Sequence, residues 1–62
     1  MNNIQLYRKK ARLQQQELAR KIGVSPSTMS FYESGFRVPS FDRIGALLRE
    51  LKCDFKDLFP NN

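Results

Sequence analysis

The sequence predicts an all-α chain, a compact five-helix bundle with two helices joined by a tight turn at its centre. Three observations carry this. Apolar residues recur at spacings of three and four, most plainly at Ile44, Leu47, Leu48 and Leu51, which stripes one side of a helix. Gly, Ser, Pro and Asp stand between the stripes, where they stop one helix and start the next. No strand pattern, repeat, low-complexity tract or second domain is visible, so the 62 residues read as a single domain.

The first helix is expected over about Asn3 to Arg12, with Ile4, Tyr7 and Ala11 on one face. Arg8, Lys9, Lys10 and Arg12 form a basic run on it, suited to a solvated surface or to phosphate contact. Arg8 lies on or near the apolar face. An unpaired buried charge is costly, and Glu33 is the expected partner. Leu13 and Gln14 connect to a second helix over about Gln15 to Ile22, which turns Leu18, Ala19 and Ile22 inward. Gln14 stands where Ser or Thr would cap better, so this start is expected to be weak. Gln15 sits beside unpaired backbone N–H groups that can hold a phosphate, unless it is an ordinary exposed polar residue.

The turn Ile22-Gly23-Val24-Ser25-Pro26 is written for its task. Gly23 suits the left-handed conformation that ends a helix. The Ser25 hydroxyl suits an N-cap. Pro26 suits the first helical position, where no N–H is needed. The third helix, about Pro26 to Ser34, ends at Gly35 and turns Met29 and Tyr32 inward. Its far side carries Ser27, Thr28, Ser30 and Phe31, which no core requires. In a basic chain, a helix presented this way suits insertion into the major groove of DNA.

Phe36-Arg37-Val38-Pro39 reads as a loop, and Ser40 as the cap of a fourth helix over about Phe41 to Lys52. Gly45 inside it costs roughly 1 kcal/mol relative to Ala and is read as a mark of close backbone approach. Asp54 is expected to cap a last short helix, Phe55 to Phe59, stopped by Pro60, with Asn61 and Asn62 fraying.

Composition narrows the function. A chain of this length buries only about 60% of its unfolded surface, so helix packing, helped by self-association, is expected to stabilise it. With one Cys and no His, an internal disulfide and the usual zinc patterns are excluded. Cys53 reads as a small semi-buried hydrophobe in a reducing cytoplasm. Eleven Lys and Arg face six Asp and Glu, a net charge of +5 with a pI of about 9.9, which favours polyanionic partners. No apolar run nears the ~20 residues that span a bilayer, and the N-terminus lacks the apolar stretch of a signal peptide. A cytoplasmic protein without a membrane partner is expected. Enzyme chemistry is not. Cys53 has no evident base, and Glu17, Glu33, Asp42, Glu50, Asp54 and Asp57 are scattered. No metal or cofactor is expected.

The combined run Gln15-x-x-Leu18-Ala19-x-x-Ile22-Gly23-Val24-Ser25, then Ser30-x-x-Glu33-x-Gly35, then Pro39-Ser40, resembles the lambda-repressor-like (Cro/C1, or Xre) helix-turn-helix family. Asp57-Leu58-Phe59 looks like that family's last helix, so the resemblance covers about residues 4 to 59. It implies a five-helix DNA-binding domain of a bacterial or phage transcription regulator that binds operators as a homodimer. By position, Arg8 and Glu33 match a structural ion pair, and Gln15 a contact to the DNA backbone. Pro26, Ser27, Thr28, Ser30 and Phe31 match or adjoin base-facing positions of the recognition helix. Arg37 and Ser40 match backbone contacts, with Arg12, Ser25 and Arg43 as further phosphate candidates. The chain departs from the family in carrying no Gln, Asn, Arg or Lys at its base-facing positions. Discrimination then falls to Ser and Thr hydrogen bonds, water, DNA shape, and packing of Phe31 or Thr28 on thymine methyl groups.

The leading expectation is a sequence-specific double-stranded DNA-binding regulator, a repressor, acting as a homodimer on an inverted repeat. Its half-sites should lie ~34 Å apart. The alternative is an antitoxin-like or anti-regulator module that uses the same fold to bind another protein. Phe55, Leu58 and Phe59 bear on that choice as dimer-surface candidates: exposed, they form a contact surface; buried, they complete the core. A non-specific DNA-packaging role would leave the ordered third helix unexplained.

Overall fold

A computed structural model describes residues 2–60, with five helices and no strand among them. They are α1 (Ile4–Lys10), α2 (Gln15–Ile22), α3 (Pro26–Ser34), α4 (Phe41–Leu51) and α5 (Phe55–Leu58). Asn61 and Asn62, expected to fray, lie outside the described residues. No described helix is long and apolar enough to cross a membrane.

Helix ends follow local backbone chemistry. Gly23 at φ 78° closes α2 and Gly35 at φ 82° closes α3, both in the left-handed region that glycine enters without steric cost. Ser25 accepts from the Thr28 N–H at 3.1 Å, and Ser40 from the Arg43 N–H at 3.3 Å. Three ends differ from the spacing argument. α1 stops at Lys10 and Arg12 turns left-handed at φ 59°, while α4 stops at Leu51 because Lys52 does the same at φ 53°. α5 stops at Leu58 because Phe59 leaves helical geometry at φ −129°.

At two helix starts the third helical residue reaches back to the cap. The Glu17 carboxylate accepts from the Gln14 N–H at 2.8 Å, so the start of α2 is held although Gln14 is a poor cap by residue type. At α5 the Asp57 carboxylate accepts from the Asp54 N–H at 2.9 Å, so Asp54 and Asp57 form the start of that helix together. Gly45 does not mark a close approach of another backbone. It is exposed, and a Cβ there would meet nothing within 4 Å, so no backbone approaches it.

The core joins all five helices through Ile4, Leu18, Met29, Leu47 and Leu58, each fully buried. Leu58 and Phe59 therefore belong to this core and not to a dimer surface. Of the three C-terminal candidates only Phe55 is exposed, at 42%. The cause is an N-terminal clamp. The Asn3 N–H donates to Leu58 O at 2.8 Å, and Asn3 Nδ2 to Asp57 O at 3.0 Å, drawing α5 inward. Asn2 Nδ2 donates to Tyr32 O at 2.9 Å, which ties the same segment to α3.

Candidate nucleic-acid interface

The site is built on α3. Met29 and Tyr32 anchor its inner side. Helical spacing then groups Ser27, Ser30 and Phe31 on an outer face, with Pro26 at its start. Pro26, Ser27, Ser30 and Phe31 are exposed, and Thr28 is half-buried. Ser25 is already engaged: besides capping, its hydroxyl donates to Thr28 Oγ1 at 3.0 Å. Thr28 keeps its own O–H as a donor.

Behind this face lies a buried polar cluster. Arg8 Nε donates to Glu33 Oε2 at 2.6 Å and Nη2 to Oε1 at 3.2 Å, a two-pronged pair whose side chains are 10% and 5% exposed. Arg8 Nη1 donates to Leu13 O at 2.9 Å, holding the bend between α1 and α2. Gln15 Nε2 donates to Glu33 Oε1 at 3.1 Å. The three helices α1, α2 and α3 thus meet at one carboxylate. No buried side-chain nitrogen or oxygen among the described residues lacks a partner. Gln15 is half-buried at the start of α2, and its amide nitrogen keeps a second proton.

Beyond Gly35 the chain doubles back over the end of α3. The Arg37 N–H donates to Phe31 O at 3.2 Å. Ser34 Oγ donates to the same carbonyl at 3.2 Å and accepts from the Phe36 N–H at 3.3 Å. This fold-back sets the Arg37 guanidinium carbon 5.0 Å from the Phe31 ring centroid. The Phe36 ring lies 5.2 Å from Phe31, tilted by 41°. Sequence reasoning placed Phe31 and Arg37 separately and missed this cluster. The available signal was Gly35, because a left-handed residue reverses the chain and lays the next residues back on the preceding turn.

Arg43 Nη2 donates to Gly23 O at 3.3 Å, so the start of α4 is fastened to the turn between α2 and α3. The structure therefore links Ser25, Thr28, Phe31 and Arg37 through α3, brings Gln15 against Glu33, and joins Arg43 to the turn. Ser40 is exposed at the start of α4, and Arg12 is exposed in the bend after α1. A family profile described as helix-turn-helix matches residues 4–58. No curated protein matches the chain.

Proposed function

The chain belongs to the Cro/C1-type helix-turn-helix family of DNA-binding regulators, and we propose that it represses transcription by inserting α3 into the major groove of an operator. One observation supports this above the others. α3 is fixed from behind by Met29, Tyr32 and the Arg8–Glu33 pair, while Ser27, Ser30 and Phe31 on its outer face stand exposed and outside the core.

In this reading Ser27, Thr28 and Ser30 hydrogen-bond to base edges, directly or through water. Phe31 or the Thr28 methyl packs on thymine methyl groups, with Pro26 adjoining them. The start of α2 with Gln15, together with Arg12, Arg37, Ser40 and Arg43, meets the phosphates and sets the register, and Ser25, whose hydroxyl proton goes to Thr28, offers its backbone N–H. A single short helix reads few base pairs, so the protein acts as a homodimer on an inverted repeat, with Phe55 the one exposed residue of the C-terminal set. It works in the cytoplasm, as a bacterial or phage-encoded protein.

Selection of bound sequences from a randomised duplex pool at low and high salt tests this. The expected result is an enriched inverted repeat that persists at high salt. Binding that disappears with salt and enriches nothing would reduce the interaction to counterion release and defeat the operator reading.

A second reading, a module that binds another protein, is favoured by the chain after α3. Phe36, Val38 and Phe41, within six residues of one another in the chain, are 75%, 79% and 89% exposed. Sedimentation separates the two. A dimer of the purified chain supports the operator reading. A monomer that holds one specific protein and no duplex supports the second.

A further inference from the structure

The outer face of α3 carries no cation, yet a cation is held against it from outside the helix. The Arg37 guanidinium carbon stands 5.0 Å from the centre of the Phe31 ring, within the range of a cation–π contact. Its backbone is also referenced to α3, through the Arg37 N–H bond to Phe31 O at 3.2 Å. Phe36 packs on Phe31 at 5.2 Å and limits where that ring can turn. Among the described residues no carboxylate or carbonyl accepts from the guanidinium, so N–H groups remain available beside the ring. A planar, permanently charged group held beside α3 with N–H groups open is suited to a phosphate oxygen.

We propose that Phe31 is a positioning residue for Arg37: its ring holds the guanidinium beside α3, so that Arg37 meets a DNA phosphate with its direction already set. This rests on the DNA-binding reading above and adds a task to Phe31 beyond contact with a base. It makes an uncharged residue control an electrostatic quantity. The salt dependence of binding reports the number of phosphates neutralised, with a slope of about −0.9 per phosphate on logarithmic axes. A thymine contact alone would leave that slope unchanged.

The experiment measures binding to a duplex of mixed sequence across a salt series for the wild type, Phe31→Ala, Phe31→Tyr, Arg37→Ala and the Phe31→Ala/Arg37→Ala double variant. Arg37→Ala should flatten the slope by about 0.9. Phe31→Ala should flatten it comparably without removing a charge, and the double variant should show no further change. Phe31→Tyr, which keeps the aromatic face, should retain the wild-type slope. In the free protein, proton NMR should show the Arg37 methylene signals shifted by the ring in the wild type and in Phe31→Tyr, and unshifted in Phe31→Ala. Far-UV circular dichroism reports that each variant is folded. A wild-type slope in Phe31→Ala or in Arg37→Ala, or additive losses in the double variant, would overturn the positioning role while leaving DNA binding intact. A wild type that binds no duplex would overturn the DNA reading, and the proposal with it.

Discussion

Arg8 carries a charge on a side chain that is almost wholly buried (8% exposed), and the fold tolerates it because the Glu33 carboxylate and Leu13 O accept its hydrogen bonds. Removing one member of such a pair leaves the other charge buried without compensation. Glu33→Gln is expected to cost about 3 kcal/mol in urea unfolding, a large share of a small domain's stability. Arg8→Met/Glu33→Met should cost clearly less than the two single changes added together, because no lone charge remains. Additive losses would mean that the pair is not a unit. Gly45 gives a contrasting case. It is exposed in the middle of α4 with open space where a Cβ would go, so Gly45→Ala should stabilise by about 1 kcal/mol, read as a higher urea midpoint. A loss of stability would show that the residue has a role the helix does not reveal.

At the scale of the element, α3 is nine residues long, and helices this short are marginal alone in water. Its existence depends on both ends. Ser25 and Pro26 start it, Gly35 closes it, and Gly23 ends α2 so that the chain can turn into it. Gly23 also has nothing within 4 Å of a Cβ position, yet its φ is 78°. Gly23→Ala is therefore expected to destabilise by about 1 kcal/mol, opposite in sign to the same change at Gly45. Space is equal at the two positions and only the backbone conformation differs. Chemical denaturation of the two variants side by side checks this, and a stabilised Gly23→Ala would remove the left-handed turn from the account of how α3 is placed.

At the scale of the whole molecule, α1 and the turn between α4 and α5 carry a pair of titrating residues, Tyr7 and Cys53, away from α3. Tyr7 and Cys53 are both pushed above their ordinary values of 10.0 and 9.0, first by burial and then by the nearby Asp57 carboxylate. Their protonated forms are favoured in the fold. The unfolded chain releases these protons at the ordinary values, so the stabilisation is complete below 9.0 and declines as pH rises through the raised folded values. Thermal or urea unfolding measured from neutral to strongly alkaline pH should show that decline. Tyr7→Phe should make it shallower, since it keeps the ring that Lys10 covers at 5.0 Å and removes one titrating proton. A decline unchanged in Tyr7→Phe would place the alkaline sensitivity elsewhere.

The amino-acid sequence by itself determined what depends on neighbours along the chain. Gly23, Ser25, Pro26, Gly35 and Ser40 act on backbone groups one turn away, so their roles can be read from position. The inward set Leu18, Met29, Tyr32 and Leu47 comes from the helical period. The Arg8–Glu33 pair was legible because a charge on an apolar face demands a partner, and the family resemblance points to the same two residues. Tertiary structure decided what depends on segments far apart. Leu58 and Phe59 read equally well as surface or core until Asn2 and Asn3 were seen to bind α3 and α5. Arg37 read as a loop cation until the chain turned back at Gly35 and laid it on Phe31. The physical reason is range: caps and periodicity act within a turn or two, whereas burial and stacking depend on how the whole chain closes on itself.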